Sequence, residues 1–298
     1  MGIHYDGRRR KNRVKKKIWT RILILFLTLL TLFYFIKIFE INTLTKNDFA
    51  IILAYNPRMN KEYSYIIDAY EKVLEEEGVI YKTANIYDLL TLDPESLVKS
   101  KPVIIFPDDL NQVLPKETEV WAEEYLKHGG NVFVVYNAGI KNLDGSFLEE
   151  SIFSKMVGVN YITYKTNKDS CFSLGYFKIK DKTSQEFLEI PEGKIIEKYL
   201  VGGYAYGIYQ YPIAKSEKKT YLKDDEIYSW VVSQDSKEYP GVIIRNYKNG
   251  KVMYVNLLLG HLKTYVDDFL LRTFLRVFLF KIVKIPHIMN VPYGKGGS

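Results

Sequence analysis

Six polar residues are candidates for chemistry, because each follows or lies close to the end of a segment that the sequence predicts to be a strand. The carboxyl ends of parallel strands meet at one edge of an open α/β sheet, and ligands bind in the crevice there. We therefore expect these side chains to converge in space. The candidate ligand-binding residues are Asn56, Arg58, Asp108, Asp109, Asn137 and His261.

The types of these side chains suit the binding of hydroxyl groups. The Asp108-Asp109 pair fits acid/base work or sugar-hydroxyl binding, although an aspartate pair after Pro107 is also ordinary turn chemistry. Arg58 suits an anionic group or a solvated loop, and His261 a ligand contact or a histidine satisfied within a loop. Amides, a guanidinium and carboxylates all exchange hydrogen bonds with hydroxyls, so the expected ligand is a saccharide or another neutral-to-anionic compound.

The sequence predicts no cofactor and no metal site. The four histidines, at positions 4, 128, 261 and 287, are isolated from one another, so no His-x-x-x-His pair is present. Cys171 is the single cysteine, which excludes an internal disulfide and a thiolate metal cluster, and we expect it to be a small buried apolar residue. No phosphate loop, dinucleotide fingerprint, serine elbow or EF-hand pattern occurs.

The elements that must position the candidate residues alternate between strands and helices in the first half of the chain. Short apolar runs predict buried strands, and the 3.6-residue spacing of apolar residues predicts helices. This order predicts a doubly wound, flavodoxin-like parallel sheet. The predicted strands are residues 49–55, 79–84, 102–106 and 132–136, and the predicted helices are residues 63–77 and 116–128, with a short amphipathic connection at 89–100.

The second half is rich in Tyr, Thr and Val and predicts mostly antiparallel strands. The clearest feature is a hairpin across Asn249-Gly250, because Asn-Gly supplies the positive φ angles of a tight turn. Tyr204 and Tyr206 belong to a Tyr-rich passage that suits either strand packing or a platform for sugar rings. Predicted strands are residues 172–179, 206–213, 227–233, 241–247 and 251–257, and predicted helices are residues 147–157 and 265–284, the latter packed on the sheet.

Residues 18–39 form an apolar run that is about 33 Å long as a helix, enough for a hydrocarbon core of about 30 Å. Arg21 and Lys37 near its ends can extend their charges toward the head groups. A cleaved signal peptide is the alternative, but no small-residue cleavage site follows. A buried core helix would not carry the basic cluster that precedes the run. We therefore expect an uncleaved membrane anchor that contacts lipid.

The charge distribution predicts the orientation of this anchor. Residues 1–21 hold nine Lys/Arg and one Asp, so of 42 basic and 35 acidic residues 33 and 34 remain, and the rest of the chain is close to neutral. Positive residues beside a span stay in the cytoplasm. The expected topology is single-pass in the cell membrane, with the N-terminus cytoplasmic and the main domain extracytoplasmic. Because the excess positive charge lies beside the anchor, a nucleic-acid partner is not expected.

Residues 128–139, which run from a helix through Gly129-Gly130 and a strand to a bend, resemble the helix, strand and elbow of the class I glutamine amidotransferase-like family. Residues 250–256 are similar to its late strand. The resemblance implies an amidotransferase-like domain over about residues 49–284, and this fold also occurs in carbohydrate-related proteins, including accessory domains of glycosidases. Asn137 stands at the position that the resemblance assigns to the nucleophilic cysteine of Gly-x-Cys-x-Gly, and an amide cannot attack glutamine.

The remaining segments complete the expected organisation: a basic tail at residues 1–17, a tether at 40–48, a β-rich insertion at about 160–235, and a Gly-rich tail at 285–298. The tail resembles the linker before a polysaccharide deacetylase domain, or is an ordinary terminus. We expect a catalytically silent binding or accessory module in extracellular polysaccharide or cell-envelope metabolism, with a polysaccharide or envelope protein as partner. The alternative is an exported carbohydrate hydrolase that uses the carboxylates at the strand ends.

Overall fold

The computed structural model describes residue 19 and residues 21–32, 51–161, 172–190 and 211–285. The chain divides into two compact units, Met1–Lys46 and Asn47–Ser298. In the first unit residues 21–32 are helical, and their side chains, mostly apolar, are exposed. The hydroxyls of Thr28 and Thr31 donate to the backbone oxygens of Leu25 and Thr28, as is usual for such residues in helices.

The predicted membrane span, residues 18–39, is only partly described. Residues 18, 20 and 33–39 lie outside the described part of the chain. Among the described residues, no helix combines the length and the apolar character needed to cross a membrane. The transmembrane helix therefore stays a prediction.

The second unit is a mixed α/β fold, whose parallel half is consistent with a flavodoxin-like sheet. Its described strands form a nine-stranded sheet and a two-stranded one. The strands are β1 Ile51–Tyr55, β2 Tyr81–Asn85, β3 Val103–Phe106, β4 Asn131–Val135, β5 Val159–Tyr161, β6 Phe172–Ile179, β7 Tyr211–Ala214, β8 Ser216–Lys218, β9 Ile227–Ser233, β10 Glu238–Tyr247 and β11 Gly250–Val255.

The large sheet has a parallel half and an antiparallel half, in the order β2-β1-β3-β4-β11-β10-β9-β6-β7. The pairs from β2 to β11 are parallel, and the pairs from β11 to β7 are antiparallel. β3 and β4 are buried along their whole length and β1 along nearly all of it, as continuous apolar runs predict. The prediction of a parallel half followed by antiparallel strands is confirmed.

Helices cover both faces of the sheet. The described helices are α1 Pro57–Glu76, α2 Ile86–Leu89, α3 Pro94–Ser100, α4 Glu117–Lys127, α5 Ser154–Val157, α6 Lys182–Phe187, α7 Leu259–Tyr265 and α8 Phe269–Arg276; a 3-10 turn lies at Asp224–Glu226 and a π-helical turn at Val277–Ile282. One face of the sheet packs against α1, α7, α8 and the π-helical turn, with Phe133 and Phe278 rings 5.3 Å apart. The other face packs against α4 and α5, with Phe106 and Phe153 rings 4.7 Å apart.

Helix α1 begins at Pro57, and the predicted start at residue 63 was wrong. Asn56 caps the helix by accepting a hydrogen bond from the backbone N–H of Arg58, and proline is favourable in the first turn. Tyr63 has φ −116° and ψ 28°, which kinks the helix. The apolar spacing becomes regular only after this kink, so the pattern showed only the second part of the helix.

Two further helix predictions needed correction. In the predicted helix 147–157, only Ser154–Val157 is helical. The predicted helix 265–284 begins at Phe269, because Val266 (φ −123°, ψ −81°) interrupts the chain between α7 and α8. Its packing against the sheet is confirmed, since Phe274 and Phe278 are fully buried.

The predicted hairpin of β10 and β11 is confirmed, but the reason for its glycine is different. Tyr247 pairs with Gly250, so Lys248 and Asn249 form the turn, and the positive φ (54°) is at Lys248. A Cβ atom on Gly250 would lie 1.9 Å from the backbone oxygen of Gly130. Glycine is required there because two backbones approach each other closely.

Candidate functional site

Asp108 is buried at the carboxyl end of β3, where it joins three elements. Its Oδ1 accepts hydrogen bonds from the Tyr70 hydroxyl and from the Gly260 backbone N–H, each at 3.1 Å. Its Oδ2 lies 3.5 Å from the backbone nitrogen of His261. Asp108 thus binds α1 through Tyr70 and satisfies N–H groups in the first turn of α7, which would otherwise lack acceptors.

Helix α7 can lie this close to α1 because position 260 is glycine. A Cβ atom on Gly260 would lie 2.6 Å from Cγ2 of Ile66 and 3.1 Å from Cε2 of Tyr70. Distances below about 3 Å are not tolerated without a shift of the neighbouring atoms. The small residue therefore brings the N–H groups of α7 within reach of the Asp108 carboxylate.

Burial, followed by the neighbouring charge of Asp109, raises the pKa of Asp108 to about 7. The hydrogen bonds from Gly260 and Tyr70 oppose this shift because they favour the ionised carboxylate. The pKa of Tyr70 lies well above its ordinary value, first through burial and then through the charge of Asp108. Tyr70 therefore remains a neutral hydroxyl donor.

Asp109 and Asn137 form a reciprocal pair of hydrogen bonds between the loops after β3 and β4. The backbone N–H of Asp109 donates to Asn137 Oδ1 at 2.8 Å, and Asn137 Nδ2 donates to Asp109 Oδ1 at 2.7 Å. Asp109 adopts a positive φ of 52°, a conformation that Asp and Asn tolerate better than most residues. Burial raises the pKa of Asp109, and the bond from Asn137 and the proximity of His261 oppose that shift.

The bend after β4 has the strained backbone of an elbow but no nucleophile. Tyr136 carries the positive φ, 49°, and its side chain is buried within the core. In a nucleophile elbow the residue on the strained turn carries the attacking atom. The strain thus lies one residue before Asn137, the position that the resemblance assigned to the cysteine. Neither residue is a thiol or an aliphatic hydroxyl, and Cys171 lies outside the described residues.

Four aromatic rings form a cluster beside Asp109, which we call the aromatic rim: Tyr63, Tyr65, His261 and Tyr265. The Tyr65 ring lies 6.4 Å from Tyr63, 6.2 Å from His261 and 5.7 Å from Tyr265. His261 and Tyr265 rings are 4.5 Å apart, and the Tyr65 hydroxyl lies 3.3 Å from His261 Nδ1. Tyr265 is 65% exposed, so the rim offers an aromatic surface to solvent.

Two tyrosines of the rim, Tyr63 and Tyr65, remain neutral. Burial, followed by the nearby charge of Asp109, raises the pKa of both Tyr63 and Tyr65 to about 12. Their hydroxyls therefore act as hydrogen-bond donors and acceptors and not as phenolates. The sequence analysis missed the tyrosines of this rim. The Asn56-Pro57 helix start was the signal that could have placed Tyr63 and Tyr65 near the strand ends.

The structure brings Asp108, Asp109, Asn137 and His261 together, as predicted for the sheet edge. The other two candidates have different contacts. Asn56 is fully buried; besides capping α1, its Nδ2 donates to the Val113 oxygen at 2.6 Å. Arg58 is exposed, and its guanidinium lies 3.4 Å from the Leu143 oxygen.

Some expectations fall outside the described residues. These include the Tyr-rich passage with Tyr204 and Tyr206, and the Gly-rich tail after residue 285. Within the described residues, no group of three His, Cys, Asp or Glu side chains is arranged to hold a metal ion.

Comparisons with known proteins support the fold. No protein-family model and no curated protein matches the sequence. Among solved structures, a putative ThuA-like protein from Bacteroides uniformis aligns at 17% identity with a TM-score of 0.51, covering 78% of this chain and 92% of that one. The fold of that protein is glutamine amidotransferase-like, so this likeness is consistent with the fold that the sequence predicted.

Two β-galactosidases share the fold over part of their length. The enzyme from Bacillus circulans sp. alkalophilus aligns at 13% identity with a TM-score of 0.51 over 82% of this chain and 32% of its own. The enzyme from Rahnella sp. R3 aligns at 13% identity with a TM-score of 0.50 over 83% of this chain and 33% of its own. The chain thus spans about a third of these enzymes, and the likeness shows the fold alone.

Replacing Asp108 by Asn should change how stability depends on pH. The folded chain holds the Asp108 proton up to a pKa of about 7, whereas an unfolded aspartate has a pKa of about 3.9. Asp108 therefore contributes stability that is fully present below about pH 4 and lost as the pH rises through about 7. Relative to Asp108→Asn, the unfolding free energy of the natural chain should fall by up to about 4 kcal/mol between those limits.

Denaturant unfolding of the full chain in detergent, followed by circular dichroism at each pH, measures this difference. The control is Asp144→Asn, because Asp144 is exposed and its hydrogen bonds with Ser146 lower its pKa. The difference for this control should not fall with rising pH. A difference for Asp108→Asn that is flat or rises with pH would show that the fold does not raise the pKa of Asp108.

Proposed function

We propose that this chain is a membrane-anchored binding or accessory module with a catalytically silent amidotransferase-like domain, and that it acts in extracellular polysaccharide or cell-envelope metabolism. The observation that carries the proposal is the composition of the sheet edge. Binding groups, namely the Asp109-Asn137 pair and the aromatic rim, lie at the strand ends where ligands bind in such folds.

The bend after β4 does not present the nucleophile that amidotransferase chemistry requires. Glutamine hydrolysis needs an activated nucleophile, such as a thiolate presented above the sheet. At this bend Tyr136 has a buried ring, and the Asn137 amide is engaged with Asp109. These contacts support a domain that has the amidotransferase-like fold but does not hydrolyse glutamine.

The edge has the chemistry of a saccharide site. A sugar ring offers a flat apolar face and a border of hydroxyls. The exposed Tyr265 ring beside His261 suits the face, and the Asp109 carboxylate suits the hydroxyls. The solved neighbours include β-galactosidases by name, which agrees with a carbohydrate-related role, although at 13% identity their activity is not carried over to this chain.

A carbohydrate hydrolase that uses the two carboxylates is the less supported alternative. Such a mechanism needs one acid and one base or nucleophile on either side of the scissile bond. Asp108 is 0% exposed, and its oxygens already receive Tyr70, Gly260 and His261. Asp108 therefore acts as a structural hydrogen-bond acceptor. Asp109 then lacks the second accessible carboxylate that the predicted pair would have supplied for hydrolysis.

The membrane anchor is part of the proposal. In the described helix of residues 21–32, the apolar side chains are exposed; Leu25 is 62% exposed and Phe26 58%. A helix that is apolar on all sides requires an apolar environment. Together with the basic cluster before it, this favours insertion with the N-terminus in the cytoplasm.

Saccharide binding is tested by calorimetry with the full chain in detergent. The probes are cellotetraose, N-acetylated chitotetraose and the anionic tetragalacturonate. Tyr265→Ala should weaken binding of the best probe about fivefold, because one ring contact contributes about 1 kcal/mol. Asp109→Asn retains the backbone conformation but loses the charge, and should weaken binding about tenfold, as expected for a hydrogen bond to a charged group.

The control is Tyr221→Ala, since Tyr221 is 47% exposed and contacts Arg245, not the aromatic rim. It should leave affinity unchanged. Absence of binding to all three probes would contradict the proposal. So would affinity that is unaffected in both edge variants, or a loss confined to variants of Tyr204 and Tyr206.

The orientation of the anchor is tested by cysteine labelling in intact cells. In a Cys171→Ser background, single cysteines replace Gly7 in the basic tail or Val120, which is 68% exposed on α4. An impermeant thiol reagent should label only the cysteine at position 120, because positive residues keep the tail inside. Labelling at position 7 alone would reverse the topology, and labelling at neither position would argue against export.

A further inference from the structure

A groove of about 550 Å³ lies on the antiparallel half, between β8, β9 and the start of β10. Its size is within the range of small-ligand sites. The first residues of β10 extend past the end of β11, since Val242 pairs with Val255, so the groove lies at the same sheet edge as the Asp109-Asn137 pair. Its lining includes Glu217, Lys218, Trp230, Lys237, Glu238 and Pro240.

A β-bulge forms the apolar wall of this groove. Pro240 pairs with Trp230 and Val242 with Ser229, so Gly241 is the extra residue on β10. A Cβ atom on Gly241 would lie 2.6 Å from Ser229 Oγ and 2.9 Å from the Trp230 backbone carbon, so the two strands approach closely only with glycine there. The bulge places the Trp230 and Pro240 side chains in the groove lining.

Asn256, which follows β11, holds this wall in place. Its backbone N–H donates to Gly241 at 2.7 Å, and its Nδ2 donates to Pro240 at 3.2 Å and to Ala214 at 2.8 Å. Its Oδ1 accepts from the Ala214 N–H at 2.8 Å. The amide thus links β7 to the β10 bulge beside the groove.

The charges around the groove are balanced. The lining contains two ammonium groups and two carboxylates, from Lys218, Lys237, Glu217 and Glu238. Three of these pair with neighbours: Lys218 with Asp224, Lys237 with Asp235 at 3.3 Å, and Glu238 with Lys178 at 2.6 Å. A balanced border does not select a polyanion or a polycation, and it supplies both donors and acceptors for hydroxyls.

We infer that this groove is a second saccharide-binding subsite, in which the Trp230 ring stacks on a sugar face and the charged border binds its hydroxyls. The choice of saccharide as ligand rests on the proposed function; the location rests on the groove itself. Two subsites on one domain allow a polysaccharide to be held at two points, which raises its overall affinity without any new contact.

Calorimetry of the full chain in detergent tests this inference with the tetrasaccharide that binds best, or with cellotetraose if the affinities are equal. The expected stoichiometry is two tetrasaccharides per chain. Trp230→Ala should reduce it to one, or weaken one of the two sites at least tenfold, and Tyr265→Ala should affect only the other. Trp230→Phe keeps an aromatic ring and should retain both sites within about threefold, but lose the ligand-induced change in tryptophan fluorescence.

The outcomes separate this inference from the proposed function. One site that weakens in Tyr265→Ala and is unchanged in Trp230→Ala would overturn the second subsite and leave the proposed function intact. No binding of any probe would overturn both. If Trp230→Ala does not fold, as judged by circular dichroism, Trp230→Phe and the exposed variant Lys237→Ala are used in its place. The inference is overturned if the ligand-induced fluorescence change is unaltered in Trp230→Phe and calorimetry finds a single binding site.

Discussion

The sheet edge depends on the buried carboxylate of Asp108. This one side chain receives the Tyr70 hydroxyl from α1 and backbone N–H groups from the first turn of α7. Burying a carboxylate is costly unless such donors surround it, and here the donors also define how α7 lies against α1. The position of α7 in turn places His261 and Tyr265 against Tyr65. The aromatic rim therefore depends on the hydrogen bonds that Asp108 accepts from α1 and α7.

The hydrogen bonds of Asp108 also determine which groups remain available to a ligand at the sheet edge. With Asp108 engaged, Asp109 is the carboxylate of the predicted pair that remains partly exposed, and it is oriented by Asn137. The bend after β4 keeps the strained backbone of an elbow but presents the buried ring of Tyr136. The result is a surface with donors, acceptors and aromatic faces, on which the proposed binding role rests.

The sequence predicted the parts of the fold that repeat a simple pattern. The strands around Ile51, Val103 and Val132 are continuous apolar runs, and the β10-β11 hairpin was predicted from the Asn-Gly pair between two apolar segments. The misses have local causes: α1 is kinked at Tyr63, and residues 147–153 carry an apolar pattern without forming a helix. At the site, the sequence does not distinguish an asparagine that faces a ligand from one that binds backbone groups of its own fold. Asn56 follows a strand as predicted, but its side chain binds the backbone. The aromatic rim joins residues 196 positions apart, which no local pattern reveals.

The central claim is that this amidotransferase-like fold is catalytically silent. The most direct measurement is ammonia release from glutamine by the full chain in detergent, compared with buffer and with the Cys171→Ser variant. The account predicts a rate equal to the buffer background in both proteins, because neither Tyr136 nor Asn137 can act as the nucleophile. Ammonia release above background that disappears in Cys171→Ser would contradict it, since the cysteine would then supply the thiolate that the elbow lacks.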